Sequence, residues 1–166
     1  MTTNSRSHGE SRLLLAPDSF KGSLRAHDVG CALREGLLEE GWSPQQVSIL
    51  GMGDGGEGSL DAWASALGVD VRRESVCGPL GGPVAGAWAL SEQTAWVEAA
   101  SACGLELLPA SDDRGPMGRT SHGVGELIGA AVSAGARTVL LGCGGTATVD
   151  LGLGMLQALG AEIVLD

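Results

Sequence analysis

Three apolar runs, each followed by a polar or glycine-rich loop and then by a helical pattern, constrain the fold of this chain more than any other feature. The three units cover residues 13–37, 47–67 and 138–159. Repeated strand, loop and helix units are typical of α/β proteins, whose loops gather at the carboxyl ends of the strands. We therefore predict an α/β fold, with a Rossmann-like parallel or mixed sheet and helices on both of its faces.

The third unit predicts a phosphate site. Its apolar run, Thr138–Leu141, leads into a loop dense in glycine before a helical pattern resumes at Leu153. Backbone N–H groups and the positive end of a helix dipole favour a phosphate at such a turn. Asp150 lies in the same loop, and a carboxylate beside bound phosphates implies a metal ion because two anions repel each other. The loop therefore predicts a site for phosphate and Mg²⁺.

The loops of the first two units carry further polar candidates. Asp18, Ser19 and Lys21 follow the first apolar run, and Lys21 is the single lysine of the chain. A flexible point charge before a helix suits contact with a phosphate or a carboxylate, although an exposed lysine without a role fits the sequence equally well. Asp54 and Glu57 lie among glycines that let a ligand approach the backbone, so they could reach a metal, a hydroxyl or a ribose. The alternative is an acidic turn at a helix N-terminus.

The composition argues against several classes of function. Ten basic and twenty acidic residues give a net charge of −10, which disfavours nucleic acid or an anionic membrane surface as a partner. The four cysteines form no CxxC pair, which argues against a zinc site or a disulfide framework. No apolar run approaches the ~20 residues of a membrane span, so a membrane-spanning helix is not expected. We expect a cytoplasmic protein with a disordered N-terminal tail over residues 1–11. Because the sequence stops within a strand expected to begin at Glu162, we also expect a truncated chain.

A β-hairpin and a helix are predicted between the second and third units. Residues 85–90 and 94–98 are predicted to be two strands closed by a short polar turn. Trp88 and Trp96 could pair across it, although burial of each in the core is favoured. Thr120 is a suitable N-cap for the helix that follows. No Walker A loop of the form GxxxxGK[ST] occurs, and no GxGxxG follows a strand in Rossmann register. The residues alone therefore predict an α/β protein that binds a nucleotide or a phosphate.

Six motifs occur in an order that is more specific than any one of them. They are APDSFKGSL at Ala16–Leu24, GDGGEGS at Gly53–Ser59, GPLGGPV at Gly78–Val84, GVGELI at Gly123–Ile128, GGTATVD at Gly144–Asp150 and GMLQALGA at Gly154–Ala161. Together they resemble the type I glycerate kinase family, the bacterial enzymes that make 2-phosphoglycerate. The resemblance covers nearly everything from Leu13 to Asp166.

This resemblance implies ATP- and Mg²⁺-dependent transfer of a phosphoryl group to D-glycerate, in a fold of two α/β domains with the active site between them. Residues 12–166 would then be the N-terminal portion of that fold, with parts of both domains. Phosphoryl transfer depends mainly on positioning and charge neutralisation.

Roles follow from the resemblance for the candidate residues. Gly144, Gly145 and Thr146 would form the phosphate cradle. Asp150 would bind Mg²⁺ or activate the glycerate hydroxyl. Asp54 would be a second metal ligand. Lys21 would offset the negative charge of a phosphate or of the glycerate carboxylate. The residues expected to contact glycerate or nucleotide are Asp18, Ser19, Gly55, Gly56, Glu57, Ser101 and Thr120.

Three positions depart from the family pattern. Val149 and Leu151 stand where the family has Asn and Gly, and Val124 stands where it has Thr. Two other functions therefore stay open, a kinase of another small hydroxy acid and an inactive fragment or weak nucleotide-binding protein. If the truncation exposes apolar surface, we expect the chain to self-associate.

Overall fold

The computed structural model describes residues 9–20 and 22–162, in two compact units, Met1–Gly53 and Asp54–Asp166. Each unit is described by itself. Lys21 lies outside the described residues, as do positions 1–8 of the expected tail and all but Glu162 of the strand expected at the end of the sequence. Within the described ranges, no helix is both long and apolar enough to cross a membrane.

The first unit is built around a pair of parallel strands. It contains β1 (Leu13–Leu15), α1 (Ala26–Glu39) and β2 (Val47–Ile49). In the strand pair, Leu13 lies opposite Val47 and Leu15 lies opposite Ile49. The loops that follow the two strands also meet, because the Met52 N–H donates to the Pro17 carbonyl at 2.8 Å.

The second unit contains a four-stranded mixed sheet with strand order β3-β4-β5-β6. Its strands are β3 (Val71–Cys77), β4 (Pro83–Ser91), β5 (Thr94–Glu98) and β6 (Thr138–Gly142), and its helices are α2 (Ser59–Leu67), α3 (Ala99–Cys103), α4 (His122–Ser133) and α5 (Leu153–Ala158). Two 3₁₀ turns, Leu105–Leu107 and Pro116–Gly118, lie between α3 and α4. The β3-β4 and β4-β5 pairs are antiparallel, whereas β5 and β6 are parallel.

Helices cover both faces of this sheet. On one face, Leu60 and Ala64 of α2 pack against Ala87 and Ala89 of β4. The other face carries the larger core, in which Leu127 of α4 is fully buried. Residues of this larger core include Val76, Trp88, Ala95, Val97, Ala102, Val124 and Ala131. The predicted α/β class, the mixed sheet and the helices on both faces are confirmed.

The register of the β4-β5 hairpin excludes a pair between the two tryptophans. Trp88 lies opposite Val97, and Trp96 lies opposite Ala89. Neighbouring residues of a strand point to opposite faces of a sheet, so Trp88 and Trp96 lie on opposite faces. The pair is therefore wrong, and the favoured core packing is confirmed, with Trp88 in the larger core and Trp96 against the smaller one. Trp96 instead contacts Trp63 of α2, with 6.1 Å between the ring centroids.

Candidate functional site

Two glycine-rich loops of the second unit are in direct backbone contact. We call residues 54–58 the first glycine loop and residues 142–150 the second glycine loop. The Gly144 N–H donates to the Gly55 carbonyl at 2.9 Å. A Cβ atom on Gly144 would lie 2.7 Å from the Gly56 Cα, and one on Gly142 would lie 2.6 Å from the Gly55 oxygen. Both distances are shorter than a carbon atom tolerates, so this contact requires glycine.

Local hydrogen bonds shape the first glycine loop. Asp54 Oδ1 accepts from the Gly56 N–H at 2.9 Å, which closes a tight turn. The buried Ser59 hydroxyl accepts from the Gly55 N–H at 2.9 Å as α2 begins. The side chains of Asp54 and Glu57 are exposed on this loop. These hydrogen bonds therefore fix the backbone of the loop, on which both acidic residues are exposed.

The second glycine loop is held along one side by the segment that follows α3. The Leu105 N–H donates to the Gly145 carbonyl at 2.9 Å, and the Ala147 N–H donates to the Cys103 carbonyl at 2.7 Å. These bonds pair Thr146 with Gly104 as an isolated antiparallel bridge. Gly145 stays exposed and Thr146 is half-buried. The predicted phosphate cradle is therefore an ordered loop with an accessible side.

Asp150 closes the second glycine loop through four hydrogen bonds. Oδ2 accepts from the Ser121 N–H at 2.8 Å, from the Ser121 hydroxyl at 2.7 Å and from the Gly154 N–H at 3.2 Å. Oδ1 accepts from the Gly152 N–H at 3.1 Å. Burial alone would raise the pKa of Asp150, but the hydrogen bonds from Ser121, Gly152 and Gly154 outweigh it and lower the pKa. Asp150 is therefore an ionised carboxylate that joins the beginnings of α4 and α5.

An arginine also ties the second glycine loop to the polar segment before α4. Arg119 Nη1 donates to the Ala147 carbonyl at 2.9 Å, and its Nε and Nη2 donate to Asp112 Oδ2 at 3.1 and 3.0 Å. The Asp112 side chain is only 4% exposed. Burial raises the pKa of Asp112, but the hydrogen bonds from Arg114 and Arg119 exceed that effect and lower it overall. The polar segment before α4 is thus fastened to the candidate site.

The structure brings together most of the predicted residues that lie in the second unit. Asp54, Gly55 and Gly56 meet Gly144 at the contact between the loops. Thr120 lies beside Asp150, because a Cβ atom on Gly154 would contact the side-chain oxygens of both. The Thr120 hydroxyl accepts from the His122 N–H at 3.1 Å. The N-cap residue of α4 is Ser121, so Thr120 lies one residue before the position predicted for it.

Three other predicted residues make local hydrogen bonds within their own units. Ser101 accepts from the Ala87 N–H at 2.8 Å and donates to the Glu98 carbonyl at 2.7 Å, so its hydroxyl joins α3 to β4. Asp18 and Ser19 belong to the first unit, where Asp18 Oδ1 accepts from the Ser19 N–H at 2.7 Å.

Sequence reasoning missed two buried polar residues at the site. Ser121 is 7% exposed and connects Asp150 to α5, because its hydroxyl also accepts from the Met155 N–H at 3.0 Å. Glu98 is 7% exposed at the end of β5 and accepts from the Leu60 N–H at 3.1 Å. Burial raises the pKa of Glu98 against the hydrogen bond from Leu60. A single carboxylate that ends an otherwise apolar strand was the signal available in the sequence.

The oxygen donors of the site suit a hard cation, but they do not form a protein cage. No group of three or more His, Cys, Asp or Glu side chains able to hold a metal occurs among residues 9–20 and 22–162. Mg²⁺ usually keeps several waters and takes only one or two carboxylates together with substrate phosphates.

Cys103 adds no nucleophile to the site, because burial, with Asp150 and Cys143 nearby, raises its pKa to about 11.

Comparisons with known proteins agree with the motifs on these loops. The chain is 44% identical over 154 residues to the glycerate 2-kinase of Escherichia coli K12 and 40% identical over 155 residues to a glycerate kinase of Bacillus subtilis 168. Each alignment covers 92% of this chain and 40% of the relative. A crystal structure described as glycerate kinase 2 from Salmonella typhimurium LT2 matches with a TM-score of 0.79 and 40% identity, over 92% of this chain and 41% of that one.

The chain therefore spans less than half of the length of these relatives. The sequence profile of the glycerate kinase family nevertheless matches residues 13–166, a range that includes both glycine loops and every described site residue. The chain belongs to the glycerate kinase family.

Proposed function

We propose that this chain provides the phosphoryl-binding loops of a kinase that uses ATP to phosphorylate D-glycerate to 2-phosphoglycerate. The observation that carries the proposal is the backbone contact between the two glycine loops, which leaves one side of the second loop accessible. Family membership supports the same reaction. Backbone amides around Gly145 and Thr146 would bind the phosphates, because phosphoryl transfer needs positioning and charge neutralisation rather than covalent catalysis.

The other candidate residues would bind the substrates or neutralise their negative charge. Asp18 and Ser19 would hold glycerate hydroxyls, while Lys21 would offset the charge of a phosphate or of the glycerate carboxylate. Gly55, Gly56 and Glu57 would contact the nucleotide or glycerate from the first glycine loop. Ser101 and Thr120 would contribute less, since their hydroxyls already make the backbone hydrogen bonds described above.

Asp54 and Asp150 would hold Mg²⁺ together with the substrate phosphates. The ion would supply positive charge that offsets the triphosphate in a chain of net charge −10. The exposed carboxylate of Asp54 can reach a ligand, and the lowered pKa of Asp150 keeps it ionised. Asp150 could instead accept the proton of the glycerate hydroxyl, because that proton leaves late in an in-line transfer.

Phosphorus NMR of the reaction products tests the proposed reaction. The purified chain is mixed with ATP, Mg²⁺ and D-glycerate, and in parallel with D-lactate in place of glycerate. The proposal predicts ADP and 2-phosphoglycerate only when D-glycerate is present. Faster turnover of lactate would favour a kinase of another small hydroxy acid, and no turnover of either acid would favour the inactive or weak nucleotide-binding protein.

We also propose a cytoplasmic location and contributions from residues 12–166 to both α/β domains of the family fold. All four cysteines are free, which suits a reducing compartment. Self-association is proposed through exposed leucines, of which Leu151 is 91% exposed and Leu156 is 43% exposed.

A further inference from the structure

We propose that Glu98 is a positioning residue that keeps the two glycine loops in contact. Its backbone belongs to β5, which pairs with the strand that leads into the second glycine loop, and its side chain binds the helix that follows the first. The importance of this contact for phosphoryl binding rests on the proposed function, whereas the positioning itself is a property of the free protein.

The backbone of Glu98 is tied to the second glycine loop. Glu98 is the last residue of β5, and its partner in the parallel β5-β6 ladder is Gly142, where that loop begins. Gly142 also lies against the first glycine loop, since a Cβ atom on it would be 2.6 Å from the Gly55 oxygen. A shift at the end of β5 therefore moves the contact between the loops.

The side chain of Glu98 is tied to the first glycine loop. Oε2 accepts from the Leu60 N–H at 3.1 Å in the first turn of α2, directly after that loop. The Gly58 backbone, within the loop itself, also lowers the pKa of this carboxylate, although burial outweighs that effect. A carboxylate that is 7% exposed is costly to bury unless it is hydrogen-bonded, and the positive end of a helix favours it. The structure therefore keeps a buried carboxyl group where an apolar residue could end the strand but could not accept a hydrogen bond from the Leu60 N–H.

A third connection fixes the orientation of Glu98. The Ser101 hydroxyl donates to the Glu98 carbonyl at 2.7 Å and accepts from the Ala87 N–H of β4 at 2.8 Å. Residues on both sides of Glu98 are buried, with Val97 at 0% and Ala99 at 4% exposure. The side chain thus starts from a rigid position, which is what allows it to hold α2 in place.

Hydrogen exchange of the free protein measures the positioning directly. We expect Glu98→Ala to speed amide exchange about tenfold in two separate segments, residues 54–60 and 142–147, because a buried N–H group loses its acceptor. Glu98→Gln keeps an acceptor for the Leu60 N–H, so its exchange should stay within about twofold of the wild-type rate. Glu98→Asp keeps the carboxyl group on a shorter side chain and should speed exchange in the same two segments, which preserves the test if the alanine variant does not fold.

Glu126→Ala is the matched control. Glu126 Oε2 accepts from the Cys77 N–H at 2.6 Å, so this variant also removes a carboxylate bound to a backbone N–H, but between α4 and β3. It should leave exchange in both loop segments unchanged. The inference is overturned if Glu98→Ala affects α2 alone, or if it speeds exchange evenly through the sheet as a general loss of stability would.

Binding of ADP to the same variants separates this inference from the proposed function. ADP should bind the Gln variant as it binds the wild type, and the Ala variant more weakly. If no variant binds ADP while the exchange pattern holds, the proposed function fails and the positioning role stands.

Discussion

At the scale of single residues, the surroundings shift the pKa values of two carboxylates at helix beginnings in opposite directions. Asp150 receives four hydrogen bonds, which outweigh its burial and lower its pKa. Glu98 is more deeply buried, and burial prevails over its hydrogen bonds, so its pKa is raised. The number of donors around a carboxylate comes from the folded structure, so the sequence could mark Asp150 as a candidate but could not predict its charge state.

Leu151 has backbone strain that a glycine would relieve. Its φ is 55°, in the left-handed region, and its side chain is 91% exposed. The resemblance to the family already marked this position, where a glycine is usual. We expect Leu151→Gly to raise the free energy of unfolding by about 1 kcal/mol relative to Leu151→Ala, because both remove the side chain and only glycine removes the strain. Equal stability of the two variants in denaturant unfolding would contradict this explanation.

Asp112 should make a contribution to stability that depends on pH. Its pKa is lowered in the folded state, so the stabilising effect of its carboxylate is present above the unfolded value of about 4 and is lost as the pH falls through the folded pKa. Asp112→Asn should therefore lower the melting temperature at pH 7 and lower it less at pH 3. Asp113→Asn, at the exposed neighbouring position, is the control and should change little at either pH. If Asp112→Asn lowered the melting temperature equally at both pH values, the charge of Asp112 would make no contribution to stability.

At the scale of elements, the sequence predicted which segments would form but not how they would meet. The three strand, loop and helix units are confirmed, because apolar periodicity and glycine punctuation are local signals. The hairpin register was not predictable in the same way. The Glu92–Gln93 turn places Ser91 opposite Thr94, and this pairing puts Trp88 and Trp96 on opposite faces.

The backbone contact between the glycine loops gives a prediction for this scale. Gly144→Ala places a Cβ atom 2.7 Å from the Gly56 backbone, so we expect it to lower the free energy of unfolding by about 1–3 kcal/mol. Gly129→Ala in α4 is the control, because no atom lies within 4 Å of its Cβ position and alanine favours a helix by about 1 kcal/mol. Urea unfolding of both variants measures the difference. A Gly144→Ala protein as stable as the wild type would mean that the loops can separate without cost.

At the scale of the whole molecule, charge and exposed apolar surface have opposite effects on association. The net charge of −10 repels a second copy, whereas exposed leucines on and near α5 favour one. We therefore expect self-association that strengthens with added salt, as screening removes the repulsion. Leu156→Glu should weaken it in sedimentation velocity experiments, and Val132→Glu, at another exposed position, should have less effect. A monomer at every salt concentration would contradict the proposal.

The sequence located both glycine loops and their carboxylates, and it missed Ser121 and Glu98. Ser121 follows a short polar segment and Glu98 ends a short apolar one, and neither segment indicates what the side chain will contact. Ser121 acquires its importance only when α4 and α5 meet, and Glu98 only when β5 ends beside α2. Both contacts join segments distant in sequence, so neither periodicity nor local spacing could predict them.

The central claim is that the paired glycine loops bind phosphoryl groups, and calorimetric titration with ATP and Mg²⁺ tests it most directly. We expect the wild type and Gly129→Ala to bind with the same affinity. Gly144→Ala should bind at least about tenfold more weakly, since a displaced backbone loses charge-assisted hydrogen bonds to the phosphates. Equal affinity of Gly144→Ala and the wild type, or no binding by the wild type, would contradict the claim.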